Sequence, residues 1–204
     1  NKIEKVDNGI NIGANVTLNN VQENQAILKN YPCIVEAASS VAGPTHQQYG
    51  TVGGNLCLDT RCLFYNQSEW WRQSNDYCLK ERGEICHVAP GGKRCFATFS
   101  GDLAPSMLVY NAEVFVKGTS GSRRIPLSDL YKDDGMAHLS LEPGELIERI
   151  HLPSKLNNST SRYEKSSLLP FHSMALIDLY PSTGFLYFDD VSLQDQYRQH
   201  LYHK

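Results

Sequence analysis

Four cysteines carry the strongest chemical signal in the chain. Cys62, Cys78, Cys86 and Cys95 are separated by 15, 7 and 8 intervening residues. Thiolates are soft ligands that suit both Zn²⁺ and iron–sulfur clusters. The spacing is neither the paired C-x-x-C of common zinc modules nor the tight ferredoxin run. Ligands this far apart need a long loop folded around them, and composition leaves zinc and a cubane cluster equally open. Arg72, Lys80, Arg82, Lys93, Arg94 and His87 are interspersed among the cysteines. Such cations either stabilise thiolates and a negative cluster or are solvated surface charges. Trp70 and Trp71 either shield a centre from water or simply pack the loop.

A second candidate is Thr51-Val52-Gly53-Gly54-Asn55. Two glycines let the backbone approach a ligand with no Cβ in the way. Exposed N–H groups there could form an anion-binding nest. The Thr51 and Asn55 side chains could add hydrogen bonds to phosphate or ribityl oxygens. The competing reading is an ordinary turn. No Walker or Rossmann glycine pattern is present. His46, His138 and His151 have no spacing that argues for acid–base or nucleophilic catalysis.

Elements must position these groups. Ile3–Val6 and Ile10–Ala14 read as strands about an Asp7-Asn8-Gly9 turn. Thr17 is placed to cap a helix whose apolar face is Leu18, Val21 and Ile27-Leu28. Ile34, Val35, Ala38 and Val41-Ala42 predict a second helix, stopped at Gly43-Pro44, with Cys33 a buried hydrophobe at its start. Residues 57–99 have little periodicity, which in a compact domain calls for something that orders them. Leu103–Leu108 predicts a helix, with Asp102 placed to cap it. Ala112–Lys117 alternates as a strand, with Ala112, Val114 and Val116 on one face; Gly118–Gly121 is a turn, and Glu145–Leu152 reads as a strand. Residues 154–162 look like a polar linker, and the tail from Ser166 gives no clear pattern.

Composition narrows the classes. The 204 residues are 41% hydrophobic with a net charge of −3. That composition is globular, with no basic surplus for nucleic acid and no polybasic membrane patch. No run approaches the roughly 20 apolar residues of a membrane span. Asn1–Val6 shows no apolar signal segment, so a cytoplasmic location is expected. Disulfides mostly serve small exported chains, so thiol ligands are the better reading of the crowded cysteines.

Taken together, the motifs resemble a known family. Ile12-Gly13-Ala14-Asn15-Val16-Thr17, Val41-Ala42-Gly43-Pro44 and Gly50-Thr51-Val52-Gly53-Gly54-Asn55-Leu56 come first. Ser100-Gly101-Asp102-Leu103-Ala104-Pro105 and residues 144–153 follow in the same order. This series resembles the FAD-binding subunits of the xanthine oxidase family of molybdenum hydroxylases, over roughly residues 3–165. The insertion of about forty residues after Asn55 is similar to the β subunits of 4-hydroxybenzoyl-CoA reductases, which carry an extra [4Fe–4S] cluster there. Asn55 to Cys62, Trp70-Trp71-Arg72 and Cys78-Leu79-Lys80 carry that similarity, and it favours iron–sulfur over zinc.

The resemblance implies an α+β fold. Residues 1–153 would be the C-terminal part of a PCMH-type FAD-binding domain, with its N-terminal subdomain missing and a cluster-binding loop at 57–99. Residues 154–204 would be a linker and a partial or divergent subdomain like the C-terminal part of CO dehydrogenase flavoproteins. Cys62, Cys78, Cys86 and Cys95 would ligate the cluster. Thr51, Gly53, Gly54 and Asn55 would hold the FAD pyrophosphate and nearby ribityl oxygens, and Asp102 the ribityl chain. Ile147 would lie against the flavin ring and Lys165 would approach its edge. With half of the nucleotide cradle lacking, weak FAD binding or none is expected of this chain alone.

The implied role is electron transfer between cluster, FAD and a small subunit with two [2Fe–2S] centres. A large molybdopterin subunit would carry the substrate chemistry of aromatic degradation, and a ferredoxin or similar carrier could exchange electrons. No nucleic acid or membrane partner is expected. The alternatives are the flavin subunit of another molybdenum hydroxylase, and a non-enzymatic four-cysteine zinc module that mediates assembly.

Overall fold

The computed structural model describes residues 2–155 and 159–165 in full, and the backbone of 166–169, 172–180 and 185–188. The chain opens with β1 (Ile3–Val6) and β2 (Gly9–Gly13), an antiparallel hairpin in which Val6 pairs with Gly9 across the Asp7-Asn8 turn. Short helices follow: α1 (Leu18–Glu23), α2 (Gln25–Asn30), α3 (Pro32–Ser40), α4 (Pro44–Tyr49) and α5 (Val52–Leu56). The long irregular stretch that comes next contains one helix, α6 (Glu69–Ser74). Regular structure resumes with α7 (Leu103–Leu108), β3 (Glu113–Gly118), β4 (Gly121–Pro126), a 3₁₀ turn at Leu127–Leu130 and β5 (Leu146–Pro153). The chain then enters β6 (Thr160–Leu169), β7 (His172–Tyr180) and β8 (Phe185–Phe188).

Among the described residues the strands form two antiparallel sheets. The first has the order β1-β2-β5-β3-β4, and the second is β6-β7-β8. Ile10, Ile12, Val114, Val116, Ile150 and Leu152 supply the buried face of the first sheet, against α3 and α7 residues such as Ile34, Ala38, Leu103 and Met107. Each fully buried Leu or Ile contributes about 2 kcal/mol of transfer free energy. Tyr31, at the start of α3, ties the helical layer to the sheet by donating its hydroxyl to the Pro153 carbonyl at 2.7 Å.

A bulge explains how β5 reaches the core at both ends. Ile150 pairs with Val114, but Ile147 pairs with Val116, so Glu148 is extra. In a regular strand Ile147 and Ile150 would point to opposite faces. The extra residue lets both face the core, the usual structural effect of a bulge.

Several sequence expectations need correction. The single helix expected from Thr17 is two, because the Asn24 side chain accepts from Ala26 and Ile27 N–H and restarts the chain as α2. The helix expected to run to Gly43-Pro44 ends earlier, at Ser40 with Val41 as its C-cap, and Pro44 instead takes the first position of α4. The expected linker 154–162 already contains the start of β6 at Thr160, while 156–158 lie outside the described residues. The tail forms β7 and β8 as far as Phe188; the remainder of the 154–204 unit lies outside the described residues. Among the described residues no helix is long and apolar enough to cross a membrane.

One ion pair on the first sheet has a clear pH signature. Arg123 on β4 makes a two-pronged contact with Glu145, at 2.8 and 2.7 Å. Glu145 also accepts from the Glu142 N–H. The guanidinium, and after it this N–H, hold the Glu145 carboxyl down at about 2, from an ordinary 4.5. A carboxylate with a lowered folded pKa stabilises above its unfolded value and loses that contribution as pH falls through the folded one. Urea midpoints of the wild type and Glu145→Gln should therefore differ at pH 6 and converge as pH approaches about 2.

Candidate cofactor sites

The glycine turn forms α5, and its backbone is already occupied. Val52 N–H donates to Val16 O at 2.9 Å and Gly53 N–H to Ala14 O at 2.8 Å. Gly54 N–H donates to the Thr51 hydroxyl at 3.1 Å. Of the two readings of this turn, a free N–H nest at residues 52–54 is therefore absent, because the helix is capped by its own threonine and docked on the turn after β2. Gly53 is glycine for packing reasons: a Cβ there would lie 2.8 Å from the Ala14 Cβ. Gly54 is exposed and presents bare backbone.

Asn55 is only 6% exposed, and its Oδ1 accepts from Leu103 N–H at 3.0 Å. This side chain, 48 residues distant, caps α7. Asp102 stands at the N-cap position but makes no capping bond, contrary to expectation. Its Oδ1 instead accepts from the Tyr163 hydroxyl and pairs with the Lys165 ammonium, both at 2.8 Å. Asp102 and Lys165, singled out separately in the sequence, are thus brought together. Tyr163 joins them as a site residue that no local pattern marks. Burial, and after it the Asp102 charge, push its phenol well above the usual range. Tyr163 N–H also donates to Glu36 on α3 at 2.6 Å, which docks β6 on the helical layer. Ile147 is half-buried against the core.

Asn55→Ala should be a costly change in this region. It leaves the buried Leu103 N–H without its acceptor, and loss of such a cap costs about 1–2 kcal/mol. A matching fall in unfolding free energy by urea denaturation is the expected result.

The second candidate site lies in loop 57–99. All six cysteines are free. Cys62, Cys78, Cys86 and Cys95 line one small pocket of about 10 Å³, open to solvent on one side, while Cys33 and Cys57 lie elsewhere. Cys78, Cys86 and Cys95 are buried and Cys62 is half-buried. Among the described residues no three Cys, His, Asp or Glu side chains stand close enough to hold one metal ion.

Tight backbone turns shape the cavity. The Cys78 carbonyl accepts from both Glu81 and Gly83 N–H, at 2.8 and 3.0 Å. Asp76, Tyr77 and Arg82 around it have φ of 54°, 57° and 60°. Left-handed conformations cost non-glycine residues free energy and tend to cluster at ligand clamps. The Ala97 N–H donates to Cys95 Sγ at 3.4 Å. Phe64 forms part of the wall, with Trp71 at 6.3 Å and His87 at 5.4 Å between ring centroids. Trp70 is 74% exposed and shields nothing. Of the interspersed cations, Lys93 and Arg82 are solvated, whereas the Lys80 side chain is only 7% exposed and lines the cavity.

The loop is tied back to the domain at several points. Arg61 and Thr98 exchange backbone bonds of 2.7 and 2.9 Å across its ends. An excursion between Tyr131 and Leu139 grips it from the other side. Asp133 pairs with Arg94 at 2.6 Å, and Asp134 accepts from Cys95 N–H at 3.3 Å. Gly135 N–H donates to the Cys95 carbonyl at 2.9 Å, and Thr60 donates its hydroxyl to the Gly135 carbonyl. His138 Nε2 bonds the Leu58 carbonyl at 2.9 Å. His138 is therefore a structural residue; burial pulls its pKa down.

Comparison with known proteins agrees with this architecture. The family model described as the FAD binding domain in molybdopterin dehydrogenase matches residues 1–155. The chain therefore belongs to that family of FAD-binding domains. It is 23% identical over 147 residues to the xanthine dehydrogenase FAD-binding subunit of Escherichia coli O157:H7, a match covering 72% of this chain and 37% of that protein. It is 24% identical over 165 residues to the 6-hydroxypseudooxynicotine dehydrogenase complex subunit alpha of Paenarthrobacter nicotinovorans, covering 81% of this chain and 42% of that one. The chain thus spans about two fifths of the length of these relatives. Among solved structures, a carbon monoxide dehydrogenase from Hydrogenophaga pseudoflava that lacks the Mo-pyranopterin moiety superimposes with a TM-score of 0.60 at 18% identity, covering 90% of this chain and 50% of that one. Quinoline 2-oxidoreductase from Pseudomonas putida 86 gives 0.54 at 16%, covering 87% and 54%. These two similarities establish the fold.

Proposed function

We propose that this chain is the flavin-carrying part of a molybdenum hydroxylase of the xanthine and CO dehydrogenase type, and that loop 57–99 holds an additional [4Fe–4S] cluster. The observation that carries the second half is the convergence of four free cysteines, far apart in sequence, on one cavity. The four cysteines share one pocket wall, and the resemblance of the insertion to a cluster-binding loop favours the separate irons of a cluster over a single zinc. The N–H bond to Cys95 Sγ and the lining Lys80 also suit a negatively charged inorganic core.

The residues around α5 suit a dinucleotide. Gly54 offers an exposed backbone surface, and the Thr51 hydroxyl retains its own proton to donate to a phosphate. Asn55 has spent only its carbonyl oxygen, so its NH₂ group remains for a phosphate or ribityl oxygen. Both partners of Asp102 fall on Oδ1, leaving Oδ2 to accept from a ribityl hydroxyl. Lys165 fixes the Asp102 carboxylate in place, and Ile147 supplies an apolar contact for the ring. Bound FAD supplies one- and two-electron chemistry, and the polypeptide sets its position.

In this reading the protein passes electrons between the cluster, FAD and the [2Fe–2S] centres of a small partner subunit. Substrate turnover occurs on a large molybdopterin subunit, in the cytoplasm. The insertion points to a 4-hydroxybenzoyl-CoA reductase-like member. Anaerobic reconstitution of the full chain with iron and sulfide tests the cluster. About four irons per chain and a brown colour that bleaches on reduction are expected. Colourless protein with one tightly held zinc would overturn it. Flavin analysis of the native complex, expected to give one FAD per copy of this subunit, tests the other half.

A further inference from the structure

Loop 57–99 holds several positive charges, but one is placed differently from the rest. The Lys80 side chain is 7% exposed, against 60% for Arg82 and 34% for Arg94. It lines the same cavity as the four cysteines and passes its ammonium over the Tyr65 ring at 4.9 Å from the centroid. Its three hydrogens are all committed. They go to Asp59 Oδ1 at 2.7 Å, Thr60 Oγ1 at 2.6 Å and the Thr60 carbonyl at 3.1 Å. Thr60 is itself 3% exposed and bonded to the Gly135 carbonyl.

The lysine is thus a fixed charge rather than a wandering side chain. With no hydrogen left for a sulfur, it acts on the cavity through space. Its carboxylate partner does not cancel it. The Asp59 side chain is 63% exposed, so water screens the negative end of the pair far more than the positive end. The field reaching the cavity is therefore positive.

We propose that Lys80 is a positioning charge that sets the reduction potential of the cluster, an inference that rests on the cluster reading above. Four thiolates bring four negative charges to the cavity, and one-electron reduction adds another without making or breaking a bond. A buried ammonium favours the reduced form, and net charge is a principal determinant of cluster potential. Asp59 has the opposite and weaker influence.

The test is an EPR-monitored redox titration of the anaerobically reconstituted full chain, with dithionite as electron donor. Iron is counted in every sample. Lys80→Met should keep about four irons and make reduction at least tenfold less favourable, a fall of about 59 mV for one electron. Asp59→Asn, which removes the screened negative charge, should move the potential the other way by a smaller amount. Opposite signs would not arise from loosening the loop, since both variants loosen it. Iron-loaded variants with unchanged potentials, or with shifts of the same sign, overturn the role of Lys80 and leave the cluster reading standing. If Lys80→Met loses its iron, the sign of the Asp59→Asn shift decides alone. A wild-type chain that takes up no iron overturns both.

Discussion

Cys78→Ser should leave the reconstituted chain with little iron, whereas Cys33→Ser and Cys57→Ser should each retain about four irons. The contrast separates a specific ligand set from general cysteine content. Cys33 is fully buried in α3, where burial, and after it the Glu36 charge, push its thiol up to about 12. Such a thiol behaves as a small hydrophobe. Cys57 lies within the cysteine-rich stretch, and its N–H closes α5 by donating to the Gly53 carbonyl. Burial raises this thiol too, and it has no part in the cavity wall. Cys78 lies on that wall, with the strained turn 76–83 built around it. A serine hydroxyl there would be a far weaker iron ligand than a thiolate. Iron analysis with the visible spectrum of each variant reads the result. Full iron in Cys78→Ser, or its loss in Cys57→Ser, would disprove the ligand assignment.

The second large effect is expected at Gly135, outside the cysteine loop. A Cβ on this residue would lie 2.5 Å from the Ala97 carbonyl oxygen, 2.7 Å from the Ala97 nitrogen and 2.9 Å from its Cβ. Two of these are backbone atoms of a segment already tied to Arg61, so they cannot swing aside. Gly135→Ala must therefore push the Tyr131–Leu139 excursion away from the loop. That movement strains the bond to the Cys95 carbonyl, the Thr60 contact and the Asp134 bond to Cys95 N–H together. The expected cost is about 2–3 kcal/mol, within the range for overpacking a tight contact. Iron content should fall as well, because Cys95 loses its support. Gly91, in the same loop, would meet nothing within 4 Å on gaining a Cβ. Gly91→Ala should therefore be close to neutral in both urea denaturation and iron content.

Much of the framework was legible because local chemistry decided it. The Asp7-Asn8-Gly9 turn, the Thr17 cap and the apolar alternation of Ala112–Val116 each follow from a few neighbouring residues. What escaped depends on distant partners. Nothing near Leu103 announces that its cap is Asn55, so Asp102 looked like the capping residue. The bulge at Glu148 arises from pairing with β3 and cannot be read from β5 alone. α6 was hidden because its six residues are too short for periodicity to register, although Ser68 caps it. At the cysteine site the ligand candidates were evident from type and spacing. The buried state of Lys80 and the grip of Asp133 to His138 were not, since each is set by contacts between segments far apart in sequence.

The bond from Asn55 to Leu103 carries a broader consequence. Together with the Arg61–Thr98 rung it staples the two ends of a forty-residue excursion at its root. Once the ends are fixed, chain length between them costs little: doubling a loop adds only about 0.6 kcal/mol of closure entropy. The host scaffold is therefore indifferent to what lies between the staples. An inorganic centre could enter the lineage, or leave it, as a self-contained cassette without redesign of the underlying sheet and helices.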